Sequence, residues 1–291
     1  MRCSSPIARL ASTSVVVIWI PLASASCADG PSDASYTIID DMEGTSGLIE
    51  WMPQTGAPGG WSSYVDTECD HILPMPGFAG GTWSYEAIPV PYETRPGITS
   101  SHAARLRTTS PLDNTWGAGM GFDLAELPAT TDAGAAVNQP QCMPAYLAVA
   151  GTPAVSVDLG AYQGISFWAM ATGDATATRV WARIDDWNTD PRGGRCDPAA
   201  PDNPQTSCFN SFRFPLDLTG AFTGYTVAFP RLKQGDYGHK GMPSLDLAHV
   251  FGFGFEVDTP GGYCPPPSVC AGAPPALSFD IWIDDLYFVK R

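Results

Sequence analysis

Arg179-Val180-Trp181-Ala182-Arg183-Ile184-Asp185 alternates between apolar and polar side chains without a break. In an extended chain Val180, Ala182 and Ile184 fall on one face, and Arg179, Trp181, Arg183 and Asp185 on the other. One buried and one wet face is the signature of an antiparallel strand, because parallel sheets are covered on both sides and read as unbroken apolar runs. Ile165-Ser166-Phe167-Trp168-Ala169-Met170 and Phe212-Arg213-Phe214-Pro215-Leu216-Asp217-Leu218 alternate in the same way. Outward from these, residues 36–41, 61–66, 102–108, 120–124, 225–229, 250–257 and 279–289 read as further strands. Turn signals such as Thr172-Gly173-Asp174 and Gly235-Asp236 separate them.

The only helical stretch is a single turn near residues 244–248, and 30 Gly with 28 Pro favour short strands joined by turn-rich loops. About ten half-buried strands in succession predict an all-β fold, an antiparallel two-sheet β-sandwich of the jelly-roll kind. No internal repeat and no linker follows residue 36, so residues 36–291 are expected to form one domain.

The start of the chain has a different character. Arg2 and Arg9 precede a short apolar run, Val15-Val16-Val17-Ile18-Trp19-Ile20, which the small residues Ala23-Ser24-Ala25-Ser26 and then Cys27 follow. Basic start, apolar middle and small-residue exit predict a signal peptide over residues 1–27, with residues 28–35 as a tether. The apolar run falls far short of the ~20 residues that span a bilayer. Two processing routes are open. Cleavage after Ala25 releases a secreted or periplasmic protein. Ser24-Ala25-Ser26-Cys27 also resembles a bacterial lipoprotein box, which implies a lipid on Cys27 and a lipoprotein at the outer membrane or cell surface. The second route leaves an even set of cysteines: Cys69, Cys142, Cys196, Cys208, Cys264 and Cys270. An exported chain favours disulfides over metal thiolates, and no C-x-x-C is present. Cys196–Cys208 and Cys264–Cys270 each bracket a proline-rich loop, which leaves Cys69 with Cys142.

Charge narrows the partners. With 30 Asp and Glu against 15 Lys and Arg, the chain carries −15. Nucleic acid is excluded as a partner, since phosphate neutralisation by Lys and Arg supplies most of that affinity. An acidic surface suits neutral sugars, cations or plain solubility.

Asp40-Asp41-Met42-Glu43-Gly44, Gly59-Gly60-Trp61-Ser62-Ser63-Tyr64-Val65-Asp66, Gly164-Ile165-Ser166-Phe167-Trp168-Ala169 and Phe279-Asp280-Ile281-Trp282-Ile283-Asp284-Asp285-Leu286 follow one another along the chain. In that order they resemble the galactose-binding-like jelly rolls, in particular family-eleven carbohydrate-binding modules and the related complex I intermediate-associated domain. The resemblance implies a structural calcium ion tying the first strand to the last, held by Glu43 and one of Asp284 or Asp285. The residues themselves allow Asp41, Glu43 and Asp285 to converge with carbonyls of residues 45–47 as a hard, all-oxygen shell. Inserts at 69–95 and 192–208 depart from the simple module.

Trp181, flanked by Arg179, Arg183 and Asp185 on the wet face of its strand, has the chemistry a pyranose needs: a ring for its C–H face and bidentate partners for its hydroxyls. Trp187 and Tyr225 are expected to widen that platform, while Phe167, Phe214, Phe253 and Phe255 pack the core; Trp61 and Tyr64 suit either place. No G-x-S-x-G, H-E-x-x-H or phosphate loop is present. Asp185-Asp186 or Glu256/Asp258 could supply the acid pair of a glycoside hydrolase, although adjacent residues of a strand, such as Asp185 and Asp186, face opposite ways. The expected function is therefore a non-catalytic carbohydrate-binding module for a polysaccharide or cell-surface glycan, touching a membrane only through Cys27. The alternatives are a surface lipoprotein that binds a protein partner, and a glycan-active hydrolase.

Overall fold

Thirteen strands form along the described part of the chain: β1 (Tyr36–Asp40), β2 (Trp61–Val65), β3 (Ile72–Leu73), β4 (Glu86–Arg95), β5 (Ile98–Thr108), β6 (Gly117–Asp123), β7 (Tyr162–Ala171), β8 (Arg179–Asp186), β9 (Phe212–Asp217), β10 (Thr223–Ala228), β11 (Lys233–Gln234), β12 (Val250–Asp258) and β13 (Asp280–Lys290). The computed structural model describes residues 35–44, 47–53, 58–65, 72–73, 83–95, 98–112, 117–125, 155–172, 179–197, 208–235, 244–258 and 278–291. All of these lie in one compact unit, Pro31–Arg291. Every strand expected from alternation is present. β3, β4 and β11 are additional; β4 was hidden by Pro89 and Pro91, which suit only an edge because proline cannot donate to a ladder.

The strands build two antiparallel sheets. The first runs β10-β7-β13-β5-β3, with β1 paired to β13 and β4 to β5; the second runs β11-β9-β8-β12-β6-β2. Inward side chains of both meet in one core. Phe167 of the first sheet stands edge-on to Phe255 of the second, with ring centroids 5.0 Å apart, and Phe253 meets Phe288 at 5.8 Å. Trp61, Met120, Ile281 and Ile283 are completely buried among them. Each side chain so buried contributes roughly 1.5–3 kcal/mol.

Asp40, at the end of β1, ties the sheets together. Its buried carboxylate accepts the indole N–H of Trp61 at 2.7 Å, the Tyr85 hydroxyl at 2.6 Å and the Met42 amide at 3.0 Å. Burial still pushes its pKa up to about 6. In β13 the alternation slips: Asp284 and Asp285 stand where one residue would keep register, and Asp285 takes φ 49°. That bulge restores Leu286 and Phe288 to the core.

The helical turn expected at residues 244–248 is a polar turn instead. Asp246 Oδ1 takes the Ala248 amide at 3.0 Å and the Asp246 carbonyl takes the His249 amide at 3.2 Å, so a short acceptor side chain competes with helical bonding.

Candidate functional site

The two outward faces are treated differently. Over the first sheet the β4–β5 hairpin folds back, and Ile88 joins Ala103, Met170 and Trp282 in a second buried cluster. Tyr92 stacks on Phe222 at 4.2 Å and meets Trp168 edge-on at 5.6 Å. The hairpin is latched by Arg105, which bonds Asp280 at 2.8 and 2.7 Å and Glu86 at 2.6 Å while its guanidinium lies 4.3 Å over the Trp282 ring.

On the second sheet five outward positions of the adjacent strands β6 and β12 are glycines: Gly117, Gly119 and Gly121 on β6, Gly252 and Gly254 on β12. Their missing side chains make a floor, and longer neighbours fold across it. A Cβ on Gly119 would run into the Tyr64 hydroxyl, and one on Gly254 would sit 2.8 Å from Arg183 Nε. Tyr64 thus lies in the groove with Arg183 4.8 Å above its ring. Register sets Tyr64, Gly119, Glu256 and Trp181 in one row across the sheet, and Asp123, Gly252 and Asp185 in another.

Charges alternate along this floor. Arg183 lies between Glu256 at 3.4 Å and Asp185 at 3.5 Å. Arg192, nearly buried, lies between Asp190 at 2.7 Å and Asp123 at 2.8 Å. Arg213 covers the Trp181 ring at 4.4 Å and reaches Asp258 at 3.3 Å. Ser211 Oγ donates to Asp185. Burial raises the pKa of Asp123 and of Asp185, and Arg192 and Arg183 offset it only in part. Burial likewise lifts Glu256 to about 7, against Arg183 and with the help of Asp258. A cavity of about 30 Å³ opens between Tyr64, Asp123, Arg183, Asp185, Asp190 and Arg192.

Arg192 is delivered by the turn after β8. The fully buried Asp186 accepts the Asn188 amide, Asn188 Nδ2, Thr189 Oγ1 and the Asp246 amide at 3.0–3.2 Å, which fixes residues 186–190. Asp190 then caps the short 3-10 turn Pro191–Gly193. Behind it the expected disulfide Cys196–Cys208 is formed.

Of the sequence-predicted sugar-site residues, Trp181, Arg183 and Asp185 share this face. Trp187 does not widen it: its ring is sandwiched between His249 at 3.6 Å and Arg195 at 3.8 Å. Tyr225 is on the first sheet, stacked on Phe167 at 5.7 Å, with its hydroxyl donating to the Asp217 carbonyl at 2.8 Å. Arg179 begins β8, and its side chain lies outside the described residues. Tyr64, open between platform and core in the sequence, lies on this face; Asp123, Asp190, Arg192, Arg213 and Glu256 were not singled out as sugar contacts. The period-2 glycines of β6 and β12 were the signal for the floor they surround.

Solved structures with similar folds include carbohydrate-binding modules. The family 11 module of a cellulosomal cellulase of Clostridium thermocellum matches with TM-score 0.42 at 11% identity, over 88% of this chain and 95% of that one. The same organism's family 11 module in complex with a β-1,3-1,4-mixed-linked tetrasaccharide gives TM-score 0.39 at 11% identity, over 88% and 95%. An exo-β-agarase gives TM-score 0.36 at 12% identity, over 71% of this chain and 22% of that one. No family model and no curated protein sequence matches.

The terminal acids divide. Glu43 and Asp284 converge on one hydroxyl, Ser100 Oγ, at 3.1 and 2.5 Å, with the His102 carbonyl at 3.1 Å. One hydroxyl proton serves only one of these three acceptors. Glu43 also takes the Ser101 and His102 amides at 2.7 and 2.9 Å. Although burial opposes it, the Ser101 hydroxyl at 2.6 Å and those amides hold Glu43 down at about 2, whereas burial pushes Asp284 up to about 8. Asp41 and Asp285 are used elsewhere: Asp41 Oδ1 takes the Glu43 amide at 3.0 Å and Asp285 Oδ1 the Tyr287 hydroxyl at 2.5 Å. Among the described residues no three metal-ligating side chains gather. Cys27 and the expected pairs Cys69–Cys142 and Cys264–Cys270 lie outside the described residues.

Proposed function

We propose that the glycine-floored groove of the second sheet binds a carbohydrate and does not cleave it. The observation that carries this is the convergence of Tyr64, Asp123, Arg183, Asp185 and Arg192 on one small polar cavity, with Trp181 two residues before Arg183 on the same face of β8. Buried charged groups held in a mutual network are rigid, so a sugar hydroxyl meets donors and acceptors already in place. The cavity admits a water-sized group and no ring. A sugar therefore lies across the floor, with one substituent reaching down. Hydrolysis is disfavoured because the candidate acids Asp185 and Glu256 have the Arg183 guanidinium between them, where a scissile bond or a water would have to stand.

Retention on a panel of insoluble and immobilised polysaccharides tests this with wild-type, Trp181→Ala and Arg183→Ala proteins. Wild-type retention that either substitution weakens is expected. No retention of any form on any glycan ends the proposal, and release of reducing sugar replaces it with the hydrolase.

Two further assignments go with this one. Glu43 and Asp284, with Ser100 Oγ and the His102 carbonyl, supply oxygens for a calcium ion between the end of the first strand and the middle of the last, and neutralising them is the chemistry the ion provides. Calorimetric unfolding with and without chelator checks this; an unchanged midpoint removes it. The basic–apolar–small leader supports export with lipidation at Cys27, for which the mass of the processed N-terminus is decisive.

A further inference from the structure

A sheet edge presents unpaired backbone N–H and C=O groups to any extended chain that reaches them, and folds blunt such edges with short strands, proline, bulges, charge or cover. Most edges of this sandwich are blunted. β3 and β11 are two residues long. β4 carries Pro89 and Pro91 and slips register against β5. β1 is bulged against β13, and its Ile39 carbonyl is taken by the Trp51 amide at 2.9 Å. β2 is covered where its Trp61 amide meets the Gly47 carbonyl at 2.8 Å.

β10 has none of these devices. Its six residues, Thr223–Ala228, pair with β7 without a register shift. Among the described residues no backbone bond leaves β10 for any element but β7. The side chain that reaches a β10 carbonyl, Ser166 Oγ to Tyr225 at 3.0 Å, also comes from β7. The Thr223 and Thr226 hydroxyls are engaged with Thr219 Oγ1 at 3.1 Å and Ser166 Oγ at 3.2 Å. Thr223, Gly224 and Thr226 are small and exposed, so a second backbone can come close.

Charge identifies the partner. Residues 218–230 and the whole of β7 carry no charged side chain, in a chain of −15. An edge kept for a basic partner would carry acids, and one for an acidic partner bases. Two copies of an acidic chain can share only an edge without acids, because each acid there meets its own image across a twofold axis. Antiparallel pairing of one strand with itself satisfies such an axis, and it uses no residue of the groove on the second sheet.

We infer that two copies of this chain pair antiparallel through the open edge of β10, joining their first sheets into one.

Sedimentation velocity of the wild-type protein from about 5 to 500 μM tests this, with a dimer of Kd roughly 10–100 μM expected for a contact at the small end of interface size. Thr226→Lys sets like charges across the pair in both copies and is expected to weaken association about tenfold. It also lowers the overall negative charge, so general repulsion falls and cannot produce that loss. Val90→Lys, at the most exposed large apolar side chain of the described residues, is expected to leave association unchanged. Amide hydrogen exchange in residues 223–228 should slow as concentration rises. A monomer throughout the range overturns the inference. So does a dimer that Thr226→Lys leaves intact, that Val90→Lys weakens equally, or whose protection lies outside residues 223–228. Should Thr226→Lys fail to fold by circular dichroism, Thr223→Lys takes its place.

Discussion

Replacing Glu256 by Gln tests the electrostatics of the groove through stability alone. Glu256 is 12% exposed, and burial lifts its pKa from 4.5 to about 7. The sign follows from linkage. An acid whose folded pKa is raised binds more protons in the folded than in the unfolded state between those two values. Its contribution is thus complete below pH 4.5 and lost as pH rises through 7. At about 1.36 kcal/mol per unit, the rise lowers wild-type stability by roughly 3 kcal/mol across that window. Gln keeps the size of the neutral acid, and its amide can donate to Asp258 as the Glu256 proton does, but it has no proton to lose. Arg183 retains Asp185. Urea unfolding of both proteins at pH 4.5 and pH 8 provides the comparison. The variant should match wild type at pH 4.5 within about 1 kcal/mol and exceed it by roughly 3 kcal/mol at pH 8. A gap between the two proteins that stays the same at both pH values refutes the reasoning.

Arg192→Leu leaves Asp123 and Asp190 buried with no cation between them, and should destabilise the fold by about 3–5 kcal/mol. In urea the loss should be smaller at pH 5 than at pH 8, because the stranded carboxylates can take up protons. Gly119→Ala places a methyl group against the Tyr64 hydroxyl and 2.8 Å from the Phe255 carbonyl, which predicts a loss of about 1–3 kcal/mol. At equal folded fraction it should also weaken retention on polysaccharide, since Tyr64 is pushed off the floor. Opening the Cys196–Cys208 link, 12 residues apart, with Cys196→Ser and Cys208→Ser should lower unfolding free energy by about 3 kcal/mol while leaving the β-sheet circular dichroism unchanged.

The fold was legible because its strands are half-buried: Val180, Ala182 and Ile184 disclosed both a strand and the direction of the core. Where that regularity failed, so did the expectation. β4 carries two prolines and packs on the back of a sheet, so its pattern follows the latch it makes and not a core. At Asp284-Asp285 a bulge reversed the faces, so which of two adjacent acids meets Glu43 was settled only by backbone φ. The site was half legible. Trp181, Arg183 and Asp185 lie on one strand, and their common face follows from period 2. Tyr64, Asp123, Arg192 and Glu256 come from other elements, and only pairing register brings them there. Tyr225 and Trp187 pack elsewhere because their partners come from other elements: Phe167, opposite Tyr225 in the β10–β7 pair, and His249 against Trp187.

The molecule uses one kind of chemistry on two faces to different ends. Under the β4–β5 hairpin, Arg105 holds Asp280 and Glu86 at 2.6–2.8 Å and stacks on Trp282, so acid, base and ring satisfy one another and fasten a strand. Across the second sheet, Arg183 stacks on Tyr64 in the same manner, yet its two carboxylates stand 3.4 and 3.5 Å away and a cavity remains beside them. A network closed at short range stabilises the fold and leaves no room for a ligand. One spaced more widely, on a floor cleared by glycine, leaves a water-sized space beside its charges. Sequence composition cannot distinguish the two, because both are built from Arg, Asp, Glu and one aromatic ring. Distance does: the first network is closed at 2.6–2.8 Å, and the open spacing of the second is what the proposed recognition rests on.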